Sequence, residues 1–447
     1  MKIHFIAIGG SAMHNLAISL KMKGYDVSGS DDEIFEPSKS RLASYGILPE
    51  NIGWDSKKIT KDIDAVVLGM HARKENPELI KAKELGLKIY SYPEFIYQQS
   101  KNKKRIVVGG SHGKTTITSM ILHVLNCCSV PCDYLVGAQL EGFDVMVKLT
   151  DDAPYIIIEG DEYLTSPLDT RPKFHVYMPD IGIISGIAWD HINVFPTFEN
   201  YVQQFKIFAE LIPQNGTLIY CKEDENCCKI AEQITVNHLY GYTTPDYVIE
   251  NHIYKILFKG EKIPLQIFGV HNLLNMSAAR LACNSIGISD EDFYSAIQSF
   301  KGASKRLELV VENQTFALYK DFAHSPSKLK ATINAVKEKF ADRKLVACLE
   351  LHTFSSLTAE FLTQYAHTMD NADEAFVYFN PHTLAHKKLP PLDNETIYAA
   401  FKNKNIQIYQ DSKKLTDKLT AMKWENKNLL MMSSGNFDGI DYNQLIK

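Results

Sequence analysis

Gly109-Gly110-Ser111-His112-Gly113-Lys114-Thr115-Thr116 follows a short apolar run and opens onto a helical pattern. In such a loop the backbone N–H groups converge on phosphate oxygens, and the N-terminus of the next helix adds partial positive charge. Lys114 would neutralise charge on β- and γ-phosphates, and the Thr115 hydroxyl would ligate Mg²⁺. A plain glycine turn has no need of the G-K-T-T sequence. The usual pattern carries another glycine five positions before Gly113, where this chain has Val108.

Carboxylates complete such a site. Glu159-Gly160-Asp161-Glu162 comes directly after the apolar run Tyr155–Ile158. An isolated acidic turn is more often a helix cap, but beside a phosphate loop it can hold Mg²⁺ from the carboxyl end of a strand. Asp190-His191 follows the run Ile181–Ile184 by a short loop. Alone it reads as a surface pair; as the third strand-end element of one block it is a candidate second metal site. Near the N-terminus, Gly9-Gly10-Ser11-Ala12-Met13 lacks G-x-G-x-x-G spacing. With Asp31 after the second strand it suggests a nucleotide-diphosphate site. A dinucleotide redox site is the rival, which an absorbance test with NADH separates.

The elements that must position these residues fall into three blocks, 1–104, 105–301 and 302–447. In the first, strands are expected at Ile3–Ile8, Tyr25–Ser28 and Asp64–Leu68, with a helix over Asn15–Lys23. In the second, strands Ile106–Val108, Tyr155–Ile158 and Ile181–Ile184 alternate with helices Ile117–Leu125, Glu199–Glu210 and Asn272–Cys283. In the third, strands are expected at Phe316–Tyr319, Leu345–Leu349, Ala375–Phe379 and Leu429–Met432, with a helix over Ser327–Phe340. Strands alternating with helices predict parallel α/β sheets, whose ligands sit beyond the carboxyl ends of the strands. The charged run Lys101–Arg105 reads as a linker or a solvated strand entrance.

Composition sets the outer bounds. The chain has 447 residues, 45% hydrophobic and 23% charged. At about 150 residues per domain that length predicts roughly three domains. Forty-eight basic residues against 53 acidic give a net charge of −5, which argues against a nucleic-acid partner. No apolar run approaches the ~18 residues of a membrane span. Eight cysteines without paired C-x-x-C spacing read as free thiols. The expectation is a cytoplasmic protein with no membrane partner, monomeric or weakly dimeric.

These motifs, in this order, resemble the ATP-dependent muramyl ligases of bacterial cell-wall synthesis over essentially the whole chain. Gly110–Thr116 is similar to that family's G-T-x-G-K-T-T loop, which accommodates Val108. Gly269-Val270-His271-Asn272-Leu273-Leu274-Asn275 resembles its G-x-H-N-x-x-N segment. Phe300–Glu308 resembles F-x-G-x-x-R-R-x-E, with Lys305 in place of the first arginine. Tyr319–Pro326 resembles D-D-[FY]-[AG]-H-H-P, from which Lys320 and Ser325 depart. Met432–Phe437 resembles M-S-N-G-G-F.

The resemblance implies an α/β fold of three domains, each on a mainly parallel sheet: a Rossmann-like N-terminal domain for the UDP-sugar, a central P-loop ATPase-like domain and a Rossmann-like C-terminal domain for the acceptor. It implies ATP and Mg²⁺, with Mn²⁺ as the alternative ion. Lys114, Glu159, His191 and Arg306 would be catalytic, and Thr115, Glu159 and His191 metal ligands. Gly110, Ser111, His112, Gly113, Lys114, Thr115, Thr116, Asn272, Arg306 and Asp321 would contact ATP. Gly10, Ser11, Ala12, Met13, Asp31 and His71 would contact UDP-N-acetylmuramate; His324 and His352 would contact the acceptor. A ligating His191 must be unprotonated, so activity should fall at acid pH. Lys206, fifteen positions after His191, matches the spacing of a carbamylated lysine in some relatives, but reads more simply as an ordinary helix lysine.

Two segments favour family members that attach an L-alanyl-γ-D-glutamyl-meso-diaminopimelate tripeptide over those that add L-alanine. Gly69–Glu78 resembles G-N-A-M-S-x-G-N-P-E. Glu159–Pro179 resembles E-A-D-E-Y-x-x-x-x-x-D-x-R-x-K-F-x-x-Y-x-P through Asp161, Glu162, Tyr163, Asp169, Arg171, Lys173, Phe174, Tyr177 and Pro179. Glu350-Leu351-His352-Thr353 departs from both the E-P-R-S of the tripeptide enzymes and the Q-P-H-R of the alanine enzymes. A diaminopimelate carboxylate would want a cation there, so the missing arginine leaves a shortened or different peptide as an alternative acceptor. A non-catalytic ATP-dependent regulatory protein is the reading from another class. The set Lys114, Glu159, His191, Asn272, Arg306 and Asp321 argues against it.

Overall fold

The computed structural model describes residues 1–70, 72–137, 143, 145–166, 168–189, 194–303 and 306–445. His71, Asp190, His191 and Lys305 lie outside the described residues. The fold is α/β, as expected. Its residues form two compact units, Met1–Thr243 with Leu274–Ile297, and Thr244–Leu273 with Gln298–Lys447.

The first unit holds two sheets. One contains β1 (Lys2–Ile6), β2 (Asp26–Ser30), β3 (Ala65–Leu68) and β4 (Ile89–Ser91) in the order β2-β1-β3-β4, all parallel. Continuous apolar runs such as Ala65–Leu68 suit strands covered on both faces, and all four of these residues are buried. Helix α1 spans Ser11–Met22 and starts directly after Gly10, four residues earlier than the sequence pattern suggests. Strand order reverses between β1 and β3, so the loops after them border a crevice.

The second sheet contains β5 (Lys104–Gly109), β6 (Cys132–Leu135), β7 (Val147–Lys148), β8 (Tyr155–Glu159), β9 (Ile181–Ile184), β10 (Thr217–Cys221) and β11 (His238–Tyr242). Their order is β11-β10-β9-β5-β8-β6-β7, and all neighbours are parallel except β6 and β7. β5 lies between β9 and β8. The loop after β5 is therefore flanked by the ends of two neighbours that come later in the chain. It opens helix α2 (Lys114–Cys127). Helix α3 (Phe198–Glu210) starts at Thr197, whose hydroxyl accepts the Asn200 N–H as an N-cap.

The second unit holds a three-stranded antiparallel sheet of β12 (Tyr247–Glu250), β13 (Ile253–Phe258) and β14 (Glu261–Pro264), which the sequence pattern did not reveal. It also holds the sheet β15-β16-β20-β17-β18-β19, made of β15 (Glu308–Glu312), β16 (Phe316–Asp321), β17 (Lys344–Glu350), β18 (Glu374–Tyr378), β19 (Ile406–Tyr409) and β20 (Lys427–Met432). All its neighbours are parallel except β15 and β16. The antiparallel sheet is fastened to helix α4 (Pro326–Lys339): the hydroxyls of Tyr247 and Tyr254 donate to the two oxygens of Glu338 at 2.6 and 2.5 Å. All eight cysteines are free thiols, and among the described residues no helix is long and apolar enough to cross a membrane.

Candidate active site

The loop between β5 and α2 is shaped by two glycines. Gly110 has φ +133°, and a Cβ there would lie 2.0 Å from Ser185 Oγ. Gly113 has φ +79°, and a Cβ there would lie 2.2 Å from Asn275 Oδ1. Both the left-handed backbone and the close neighbours exclude larger residues. The Ser111 N–H donates to the Gly186 carbonyl (2.9 Å), and the Ser185 hydroxyl donates to the His112 carbonyl, so the segment after β9 braces the loop.

Lys114, the first residue of α2, turns back across the loop. Its Nζ donates to the Gly110 carbonyl (2.6 Å) and to Glu162 Oε2 (2.6 Å). Burial opposes its charge, but the carboxylates of Glu162, Asp161 and Glu159 outweigh burial and raise its pKa above the usual lysine value. It is thus a fixed cation beside the loop. The Thr115 hydroxyl donates to Glu159 Oε1 (2.8 Å), and the Gly137 N–H donates to Glu159 Oε2 (2.8 Å). A hydroxyl and a carboxylate in contact are hard oxygen donors of the kind Mg²⁺ prefers. Among the described residues no group of three or more His, Cys, Asp or Glu is arranged to hold a metal, and His191 lies outside those residues. Thr116 is buried in α2. Lys206 sits on α3 with Nζ 4.0 Å from Glu210, one helical turn on.

The segment after Glu159 closes on itself through its own charges. Asp161 pairs with Lys173 (2.6 Å), whose ammonium lies 5.8 Å from the Tyr163 ring centre. Burial pushes the Asp161 carboxyl up, but Lys173 and Lys114 more than reverse this and lower its pKa. Arg171 grips Asp169 in a bidentate pair, Nη2 to Oδ2 at 2.6 Å and Nε to Oδ1 at 3.0 Å. Phe174 stacks on Phe208 of α3 at 4.7 Å.

In the crevice beyond β1 and β3 lies a cleft of about 900 Å³. Gly10 and Asp31 line it, as do Arg73 and Asn76 of the Gly69–Glu78 segment and Phe35 and Trp54, which the sequence did not single out. Asp31 Oδ2 accepts the Gly9 N–H at 2.6 Å and so fixes the glycine turn. Ser11, Ala12 and Met13 instead form the first turn of α1, and Met13 is buried. The motif Gly69–Glu78 acts partly through the fold. Asn76 caps the helix Pro77–Glu84, and the fully buried Glu78 accepts from Asp55 N–H (2.9 Å) and meets His4 Nε2 (3.2 Å). Phe35 is 66% exposed, an uncommon place for a phenylalanine unless something covers it.

The second unit brings Arg306 and Asp321 together. Burial raises the Asp321 carboxyl's pKa, against a hydrogen bond from Thr332 (2.8 Å) and the positive charge of Arg306. The Arg306 guanidinium lies 4.9 Å from the Phe322 ring centre. Asn272 Nδ2 donates to the Phe268 carbonyl (2.9 Å). His324 Nδ1 contacts the Phe322 carbonyl (2.8 Å), and His352 stands half-exposed beside Glu350 (3.6 Å). Glu350 itself faces inward, accepting from the Ser433 hydroxyl and from the Phe437 N–H (2.8 Å).

Family models match the chain in three consecutive parts. A Mur ligase family catalytic domain covers residues 2–104, a Mur ligase middle domain 108–283 and a Mur ligase glutamate ligase domain 305–435. The UDP-N-acetylmuramate–L-alanine ligase of Clostridium kluyveri is 34% identical over 386 residues, spanning 83% of this chain and 82% of the relative. The chain belongs to the Mur ligase family. Mur ligases are ATP-dependent enzymes that form amide bonds and generally use Mg²⁺, and this Mur ligase is an ATP-dependent ligase. The UDP-N-acetylmuramate–L-alanyl-γ-D-glutamyl-meso-2,6-diaminoheptandioate ligase of Haemophilus influenzae is 28% identical to it over 98% of this chain and 97% of the relative. A solved murein peptide ligase from Psychrobacter arcticus shares its fold, with a TM-score of 0.63 at 24% identity, covering 100% of this chain and 98% of the other.

Sequence reasoning missed the group around Lys114. Glu162 is legible as one acid of a turn and as a match in the Glu159–Pro179 motif but not as the partner of Lys114, and Tyr201, whose hydroxyl reaches Ser111 Oγ at 2.9 Å, lies unmarked in the expected helix Glu199–Glu210.

Proposed function

We propose that this Mur ligase joins UDP-N-acetylmuramate to L-alanyl-γ-D-glutamyl-meso-diaminopimelate at the expense of ATP, in cytoplasmic recycling of peptidoglycan peptides. The observation that carries the peptide over a single amino acid is the segment Glu159–Pro179. Its motif residues pair with one another, Asp161 with Lys173 and Asp169 with Arg171, so they act as one folded element. A second reading, addition of L-alanine, is favoured by the Clostridium kluyveri relative.

In this reading residues 1–104 hold the UDP-sugar, 105–301 hold ATP and 302–447 hold the acceptor. A carboxylate is a poor partner for an amine because its oxygen does not leave. The muramyl carboxylate oxygen therefore attacks the γ-phosphorus, and ADP departs. The peptide amine next attacks the acyl-phosphate carbonyl, and inorganic phosphate departs as the nitrogen loses a proton. Phosphoryl transfer of this kind needs in-line positioning and charge neutralisation. The N–H groups of the Gly110–Thr116 loop other than that of Ser111, which Gly186 engages, cradle the phosphates, while Lys114 and Arg306 supply cations. Asn272 contacts adenine and Asp321 the ribose. Thr115 and Glu159 would hold Mg²⁺, which would help neutralise phosphate charge, and His191 would serve a second ion.

Phosphate release from ATP with UDP-N-acetylmuramate tests the assignment, comparing the tripeptide with L-alanine. At least tenfold faster release with the tripeptide is expected; release with L-alanine alone would transfer the enzyme to the alanine-adding step. The cleft gives a separate expectation. A base stacked on an aromatic ring is worth about 1–3 kcal/mol, so Phe35→Ala should weaken UDP binding roughly five- to hundredfold by calorimetry. Unchanged affinity would remove Phe35 from the uridine site.

A further inference from the structure

The acidic turn carries three carboxylates around one lysine, and the ATP reading uses only Glu159. Glu159 is engaged by Thr115 and Gly137, and Asp161 by Lys173. Glu162 is left, 1% exposed, at 2.6 Å from Lys114 Nζ. We propose that Glu162 is the positioning residue of Lys114, fixing the direction in which the ammonium meets the γ-phosphate, and that Tyr201 links this position to the loop. The inference rests on reading this loop as the ATP site.

A lysine ammonium has three N–H donors and no acceptor. Two are committed here, one to the Gly110 carbonyl and one to Glu162 Oε2. The third is then fixed in direction, although lysine is ordinarily a point charge on a flexible stem. The other oxygen of Glu162 accepts the Tyr201 hydroxyl at 3.2 Å. That hydroxyl shares a hydrogen bond with Ser111 Oγ (2.9 Å), which accepts the Ala188 N–H (2.9 Å). A chain of contacts thus runs from the lysine through Glu162 and Tyr201 back to the loop it serves. Tyr201 is a rigid relay: its ring is fully buried and packs against Phe195 and Phe205 at 5.4 and 5.2 Å.

Stability alone is a weak reason for this pair, since burying two charges often costs as much as their attraction returns. A negative charge beside the lysine also works against phosphate binding. What the pair provides is a preset donor, the form of electrostatic catalysis that needs no reorganisation during the reaction. The signature is a split between turnover and ATP affinity. Misplacing a catalytic group by about 1 Å costs on the order of a hundredfold. Glu162→Ala should therefore lose about that much in kcat, with the KM for UDP-N-acetylmuramate unchanged. Glu162→Gln keeps an acceptor for the lysine and removes the charge. It should recover kcat to within about tenfold of the parent and lower the KM for ATP. Tyr201→Phe keeps the packed ring and should cost several-fold in kcat.

The test is ATP-dependent phosphate release by the full-length enzyme, with tripeptide and with L-alanine, beside the melting temperature of each variant. Parental kcat in Glu162→Ala would overturn the proposal. So would equal losses in the Ala and Gln variants accompanied by a lowered melting temperature, which would mark a structural role. If Glu162→Ala does not fold, the Gln and Tyr201→Phe variants decide by the same criteria. Lys114→Met separates the two levels of the argument: if it keeps full turnover, the ATP-site reading itself fails. If it is inactive while the Glu162 and Tyr201 variants behave as the parent, only the positioning role fails.

Discussion

Replacing Lys114 with methionine is expected to lower kcat about a thousandfold or more while UDP-N-acetylmuramate binds as before. In the proposed reading the lysine is the cation that the loop sets beside the phosphates of ATP, and Glu162, Asp161 and Glu159 all bear on it electrostatically. Without it the incoming polyphosphate meets those carboxylates uncompensated. ATP affinity should therefore fall as well, by more than tenfold at low salt, where screening is weakest. Arginine should not rescue the variant, because a planar guanidinium has at most two N–H donors on any nitrogen and cannot keep the bonds to Gly110 and Glu162 while aiming a third donor from the same atom. Removing the lysine also leaves Glu162 buried without its cation, which is destabilising by itself. The double variant Lys114→Met/Glu162→Gln controls for that: it should melt close to the parent and remain inactive. Steady-state phosphate release with calorimetry of the UDP-sugar checks the result. A kcat within tenfold of the parent would contradict the role given to Lys114.

The parts of this site that the sequence makes legible are local ones. Gly109–Thr116 is continuous in the chain, and the hydrogen bonds of such a loop follow from its glycines and the helix after it. Glu159 is legible because it ends an apolar strand, Tyr155–Glu159, whose neighbours in a parallel sheet bring their carboxyl ends to one edge. Glu162 and Tyr201 are different. Their partners stand 48 and 90 residues away, and the contacts exist only because β5 lies between β8 and β9. No periodicity within a strand encodes that order. The antiparallel strands β12 to β14 escaped for another reason: they are short and half-exposed, so their alternation is weak. For α1 the sequence pattern places the first helical residue at Asn15, whereas the helix begins at Ser11, directly after the glycines. The cleft aromatics Phe35 and Trp54 lie in loops, where a single ring leaves no pattern to recognise.

Glu350 shows how a residue at the head of a variant segment can have a structural rather than a ligand-binding meaning, and it gives the second large expected effect. By its position in the variant segment Glu350–Thr353 it invites reading as part of an acceptor pocket. Its carboxylate is 2% exposed and points into the C-terminal unit instead. There it accepts from the Ser433 hydroxyl and the Phe437 N–H, and a Cβ on Gly435 would lie 2.9 Å from its Oε2. The segment Ser433–Phe437 is therefore wrapped around this side chain. Hydrogen bonds to a charged group contribute about 1.5–3 kcal/mol each. Glu350→Ala deletes two of them and leaves their donors buried, so it should destabilise the unit by roughly 3–5 kcal/mol. For a unit of this size that lowers its melting transition by roughly 10 °C. Glu350→Gln retains one acceptor oxygen in the same volume and should recover about half of the loss. His352, half-exposed beside it, should behave differently: His352→Ala should leave the melting transition within about 1 °C, as for surface substitutions, and change only the KM for the acceptor. Calorimetric scans of the three variants separate the roles. A parental transition in Glu350→Ala would return the carboxylate to the acceptor pocket, and a collapse in His352→Ala would give the histidine to the fold.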